Sequence, residues 1–533
     1  MQGTALMQFD RRQMISGAGA LALAAPLSGL PATVGAQPQR AALRPAPMGA
    51  VDVRKFGARG DGKAIDSAAI NRAIDALAAS GGGTLIFPPG TYACYTIRLK
   101  SRVSLHLTNG ATILAAAAPT DGRGGYDLAE EQDPRAVGFQ DAGHSHWRNS
   151  LIWGEGLHDI AITGDGLIWG KGLGRGDGKD DWLKDPSGPG TANKAIALKN
   201  CRNVLLRDFR MLEGGWFALL ATGVDNLTID NLLIDTNRDG MDIDCCKNVR
   251  VTNCTVNSPY DDAICPKSSF ALGYARVTEN LTISGCFVTG NYQIGSVLDG
   301  TWRKMPADFA PLIHGRIKFG TESNGGFRNI AITNCVFEDS RGIALETVDG
   351  GVLEDVAISN ITMRGIVHGA FFLRLGKRMR GPAGVPIGTL KRVRISNLVS
   401  SGGSQLPAVI AGLAERPIED VSISDVLLHQ IGGADAAMAA LQPPENALGY
   451  PEATMFGDLP ATGLFARAVR GLSLDNVEVQ VDRPDLRPAL WLQDVDGVDL
   501  SRLRLPEGKA FALDRVRGLR SSAVRGHADL RID

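Results

Sequence analysis

The stretch Asn226–Cys265, NLTIDNLLIDTNRDGMDIDCCKNVRVTNCTVNSPYDDAIC, states one phrase twice. "NLTIDN" begins at Asn226 and "NVRVTN" at Asn248, 22 residues later. Each opens on a polar turn residue, alternates apolar and polar positions, and closes on Asn. Alternation of period two marks a strand with one buried face. A strand this short cannot bury that face alone, so copies spaced by one period must stack.

The phrase recurs along most of the chain. It appears at Asp159, Asn203, Asn280, Asn329 and Asp355, and again at Arg392, Asp420, Gly471 and Gly497. The shortest intervals are 22 and 23 residues, and the longer ones read as coils carrying loop insertions. A parallel β-helix fits this pattern best. A leucine-rich repeat would need a regular Leu spacing that is absent. The 65 glycines and the 6% aromatic content suit many tight turns between short strands. Ahead of the repeats, "DSAAINRAIDALAAS" reads as a helix with Asp66 at its N-cap and Ile70, Ile74 and Leu77 on one stripe. It is expected to cap the open first coil. The expected fold class is all-β, a right-handed parallel β-helix with a short N-terminal capping helix.

Arg11 and Arg12 precede an Ala-, Leu- and Gly-rich run that ends in a small-residue site at Ala36. This resembles a twin-arginine export signal and predicts a periplasmic or secreted protein. The expected organisation is a signal over 1–36, a linker over 37–50, and one β-helix domain over 51–533 with insertions near 291–313 and 430–465. The 56 Lys and Arg against 57 Asp and Glu, a formal charge of -1, argue against nucleic acid or a charged membrane surface as a partner. A monomer is expected. Of eight cysteines, Cys201, Cys254, Cys286 and Cys335 hold equivalent repeat positions and are expected to stack on an inner face. No Cys/His cluster has zinc spacing, and no metal or cofactor is expected.

The opening stretch also holds the candidate chemistry. Asp239 precedes Asp261 and Asp262 by 22 and 23 residues, one coil. Residues one coil apart sit about 4.8 Å apart along the axis. Three carboxylates should therefore crowd one patch, and at least one should keep its proton near neutrality. One protonated and two ionised carboxylates suit glycoside hydrolysis. Clustered Asp also suits a calcium site, and single Asp residues are common in turns.

With these motifs in view, the chain resembles glycoside hydrolase family 28, the polygalacturonases and rhamnogalacturonan hydrolases, in its bacterial branch. The resemblance starts at "FGARGDGKAIDSAAINRAIDALAASGGGTLIFPPGTY" and covers nearly the whole chain beyond the export segment. The family's Asn-Thr-Asp motif falls on Asn237, Arg238 and Asp239, and its Gly-Asp-Asp motif on Tyr260, Asp261 and Asp262. The resemblance implies inverting hydrolysis of a pectic or related uronate-containing glycan. Asp261 would be the general acid, with Asp239 and Asp262 activating water. Lys267 falls on a lysine common after the family's Asp pair; otherwise it is a solvated surface lysine. His314 and Gly315 are the nearest match to the Gly-His-Gly motif, and His314 would tune the acid.

The carboxylate-holding Arg-Ile-Lys motif should fall in "RGIALETV", where Ala344 and Glu346 stand instead. Glu346 facing the cleft would repel a uronic acid. A literal Arg316–Ile317–Lys318 lies one coil too early. Arg316 and Lys318 share a strand face and either supply positive charge to the cleft or pair with Glu346 or Glu322. Trp302, in the insertion, either stacks on a sugar or fills the core. The competing functions on such a fold are a polysaccharide lyase and a non-catalytic glycan-binding β-helix. End-action on short chains would follow if the two insertions closed the ends of the cleft.

Overall fold

The computed structural model describes residues 49–533, apart from 120–122, 133, 136, 141, 175–187, 307 and 309–312. The expected export signal, with Arg11, Arg12 and Ala36, and nearly all of the linker lie outside the described residues.

Each of the eleven repeat starts has a positive φ, from 54° at Asn226 to 75° at Gly471 and Gly497. The polar residue that opens the phrase is thus a left-handed corner. Asn, Asp and Gly tolerate that region best, and so they recur there. Past the corner the chain extends and its apolar residues point inward. Parallel pairing then aligns one coil on the next. Leu227 pairs in register with Val249, Val249 with Leu281, Leu281 with Ile330, and Ile330 with Val356. All five are buried.

The coil has three parallel ladders. One runs through Lys194–Lys199, Phe217–Thr222, Asp239–Asp244, Ile264–Lys267, Ile317–Phe319, Ile343–Thr347 and Phe371–Leu375. The second carries the repeat phrases, from His158–Thr163 onward. The third consists of three-residue strands such as Leu233–Asp235 and Thr255–Asn257. The fold is a right-handed parallel β-helix with one apolar core along its axis. The four repeat cysteines are inside it, and each thiol lies within 3.5 Å of the carbonyl two residues earlier. All eight cysteines are free and buried.

The helix Ser67–Ala79 forms at the N-terminal end, with Ile70, Ile74 and Leu77 fully buried. Asp66 stands at its N-cap but does not cap it. Its carboxylate instead accepts the backbone N–H groups of Arg59 and Gly60, at 2.7 and 3.0 Å. The local turn competes with the helix for that side chain and wins. Among the described residues, no helix is long and apolar enough to cross a membrane.

Two excursions position the site. Ile264 and its partner Ile317 are 53 positions apart, in place of the usual coil. Part of this insertion is an antiparallel pair, Tyr292–Ile294 with Arg303–Lys304. Its approach is pinned by the buried Asp235, which accepts from the Ser296 hydroxyl and the Val297 N–H. The second excursion leaves after Gly432 and returns at Leu464. It includes the short helix Ala436–Ala439 and the turn Ala453–Phe456, and it packs Ala453, Phe456 and Leu459 on Phe372, Val409 and Phe465 of the first ladder.

Candidate active site

Asp239 opens its first-ladder strand, and Asp261 and Asp262 lie just before the strand one coil on. The Gly240 N–H donates to the Asp262 carbonyl at 3.0 Å, fixing the two coils at this level. Carboxylate oxygens of Asp239 and Asp262 and the Cys265 sulfur lie within 4.8 Å of one another. So do oxygens of Asp261 and Asp262 and a ring nitrogen of His314. Stacking has brought together the three aspartates and the histidine.

The three carboxylates do not behave alike. Burial pushes the Asp239 carboxyl well above its usual range, and the charges of Asp261 and Asp242 push the same way. Burial also raises Asp261, but the charge and hydrogen bond of the Arg238 guanidinium more than reverse this and leave Asp261 below the ordinary range. Arg238 donates to Asp261 from Nη2 at 2.7 Å and lies 4.6 Å over the Trp216 ring. Asp262 is likewise held below its usual range, burial being outweighed by Arg316 and Lys318. Of the three, Asp239 is the carboxyl whose surroundings favour the protonated form. Asp261 is the most exposed of the three, with 24% of its side chain accessible against 2% for Asp262.

His314 is depressed to about 3 by burial, with Arg341 adding to the effect, so it is neutral. Lys267 is not a surface lysine: it is 5% exposed and donates to the Gly320 carbonyl and to Glu322, both at 3.3 Å.

Arg316 and Lys318 lie on the coil next to the aspartate pair, and Lys318 is in register with Ala344 of the following coil. Both are buried. Arg316 donates from Nε to Asp262 at 2.5 Å, and Lys318 lies 3.4 Å from the other Asp262 oxygen. Of the anions considered as partners, Glu322 pairs instead with Lys267, and Glu346 lies 3.9 Å from Lys318. The expectation that Glu346 faces the cleft is corrected: it has no accessible surface, because Lys318 and the excursion lie over it. Burial raises its carboxyl to about 7, with Lys318 opposing. Trp302 is not a core residue. It is 41% exposed and leans on Tyr292, ring centroids 4.3 Å apart.

Four further residues complete the site. Glu452 and Tyr450 arrive on the second excursion, and Arg341 and His368 on later coils. Glu452 pairs with Arg316, Arg341 and His368, while the Tyr450 hydroxyl is within hydrogen-bonding distance of Lys318 and Thr321. No spacing rule links a loop residue to a strand 136 residues away, so only the abundance of Pro and Gly over 430–465 hinted that this segment builds the cleft.

The trio can donate one proton and accept another, which is the requirement for hydrolysis at an acetal carbon. Residues 50–129 match the family described as rhamnogalacturonase A/epimerase, pectate lyase-like, and residues 190–303 match the right-handed β-helix region. A Vitis vinifera protein named "Probable polygalacturonase" is 23% identical over 80% of this chain and 84% of its own length. An exopolygalacturonase from Thermotoga maritima superposes with a TM-score of 0.62 at 21% identity, over 82% of this chain and 92% of its own. The Yersinia enterocolitica family 28 exopolygalacturonase gives 0.61 at 18%, over 86% and 78%. The chain is similar to polygalacturonases over most of its length and is built on a right-handed parallel β-helix.

Proposed function

We propose that the protein hydrolyses glycosidic bonds of pectic oligo- or polysaccharides with inversion of configuration. The observation that carries this reading is the cluster of Asp239, Asp261, Asp262 and His314 on adjacent coils of a polygalacturonase-like scaffold, with Asp239 in surroundings that favour a proton and the other two aspartates in surroundings that favour the ionised form. Asp261, the most accessible, meets the glycosidic oxygen. Asp262, kept ionised by Arg316 and Lys318, takes the proton of the attacking water. Asp239, whose carboxylate comes within 4.8 Å of that of Asp262, is the second residue of the pair that activates the water. Oxygens of Asp261 and Asp262 come within 4.8 Å of each other, closer than the roughly 6.5–9.5 Å usual between the acid and base of an inverting enzyme, so the anomer first formed decides the stereochemistry.

The test is digestion of pectic oligosaccharides with reducing ends and ultraviolet absorbance read together. Hydrolysis gives reducing ends alone, whereas a lyase would add absorbance from an unsaturated product. Proton NMR of the first-formed anomer reports inversion. Asp261→Asn and Asp239→Asn are each expected to lower kcat at least ~100-fold. Wild-type protein that releases no sugar from any pectic glycan overturns the proposal.

A further inference from the structure

Glu452 sits in a pocket of the kind that binds a carboxylate. Arg316 donates to both of its oxygens, from Nη2 at 2.6 Å and Nη1 at 3.0 Å. Arg341 adds Nη1 at 3.3 Å, and His368 Nδ1 lies 3.2 Å away. A forked guanidinium on both oxygens, supported by a second guanidinium, is the arrangement by which proteins select a planar carboxylate. The pocket adjoins the reacting groups, because the same guanidinium that grips Glu452 donates its Nε–H to Asp262. A uronic acid bound against the trio would direct its carboxylate to such cations, but the chain's own side chain is there.

The neighbouring cation offers no substitute. Lys318 lies between Asp262 and Glu346, with the Tyr450 hydroxyl 3.2 Å away. A second carboxylate reaching Lys318 would meet the charges of Asp261, Asp262 and Glu452, which already interact with that lysine. Like charges in a site of low dielectric repel strongly, and such repulsion excludes a ligand as effectively as a steric clash.

We infer that Glu452 is a specificity-determining residue. It fills the carboxylate pocket of Arg316, Arg341 and His368, so the sugar ring held against Asp239, Asp261 and Asp262 is a neutral one. The acidic sugars of a pectic chain then lie on the far side of the scissile bond. This deepens the hydrolase reading and rests on it for its catalytic arm.

The test titrates wild type, Glu452→Gln and Glu452→Ala calorimetrically with galacturonate and with galactose, which differ only in the carboxylate. In parallel, the sugar released from the ends of rhamnogalacturonan oligosaccharides and of oligogalacturonides is identified. Wild type is expected to disfavour galacturonate and to release a neutral sugar. Both variants are expected to raise the preference for galacturonate over galactose by about tenfold or more, with formate competing for the vacated pocket. Glu452→Gln keeps the size of the side chain and serves if the alanine variant melts early. Wild type that prefers galacturonate or releases it as the main product overturns the inference, as does an unchanged preference in the folded variants. Wild type that releases no sugar at all removes the hydrolase reading instead, and the titration still decides the role of Glu452.

Discussion

In the proposed mechanism Asp261 needs a proton to act as an acid, yet Arg238 donates to it at 2.7 Å and helps hold it below the ordinary carboxylate range. The family-like motif has Thr where this chain has Arg238, so the clamp is a departure with a kinetic consequence. A guanidinium beside an Asp lowers its pKa by roughly 1–3 units. Removing it lets the acid stay protonated to higher pH. Arg238→Ala is expected to move the high-pH limb of the kcat/KM profile upward by about one unit or more. A profile with that limb unmoved would separate Arg238 from the acid. Glu346 makes a second prediction. Burial raises its carboxyl from 4.5 to about 7. Between these values the unfolded chain has lost the proton that the folded chain keeps, so stability falls as pH rises through this window. The loss is of order 3 kcal/mol at its upper end. Glu346→Gln cannot ionise and should melt above wild type at pH 7, with the advantage gone below about pH 4.5. An equal gain at pH 4 would tie the effect to packing instead of charge.

The left-handed corners act at the scale of the strand and its neighbours. Asn203, Asn226, Asn248, Asn280 and Asn329 stack on successive coils, each amide donating to the residue one coil below at 2.7–3.1 Å, with Asp159 accepting at the bottom. Asn203, Asn226, Asn248 and Asn280 therefore each supply both the corner's backbone conformation and two ladder hydrogen bonds. Asn226→Ala removes both and is expected to cost about 2–3 kcal/mol, while Asn226→Gly restores the corner alone and should cost about 1–2 kcal/mol less than Ala. Thermal midpoints by circular dichroism at one scan rate rank the three proteins. Ala and Gly melting alike would assign the effect to the amides alone. The same corners made the fold legible in the sequence, because a φ near 55° restricts residue choice at every turn of the coil. The aspartate trio was legible for a related reason: a 22- to 23-residue separation is a spatial step in this fold. Glu452, Tyr450, Arg341 and His368 were not legible, since loop length and charge do not say which coil a loop returns to. The burial of Glu346 was hidden as well, because alternation puts it on the outward face and only the excursion over that face encloses it.

Across the whole molecule, the outward face of the first ladder is covered on both sides of the trio. Toward the N-terminal end, Trp147 packs on Ala197, Phe217 and Leu220, and its indole N–H donates to Thr222. His144 from the same segment lies 2.8 Å from Asp242, on the strand that Asp239 opens. Toward the C-terminal end, the excursion between Gly432 and Leu464 covers the coils of Ala344, Phe372 and Val409. A long glycan could not lie along the ladder past either cover, so cleavage is expected at chain ends. Reducing ends should then accumulate from polymeric pectic substrate with little fall in viscosity, and the earliest product should be one short species. An early collapse in viscosity would mean an open groove. The cover is anchored by Arg374, which has no accessible surface and donates to the carbonyls of Glu445 and Asn446 at 3.1 Å each. Arg374→Met keeps most of the side-chain bulk but gives up these bonds. It is expected to make residues near 445 more sensitive to protease and to broaden the product lengths, with the aspartate trio untouched. Unchanged protease sensitivity together with a single product would show that apolar packing of Phe456 and Leu459 holds the cover without Arg374.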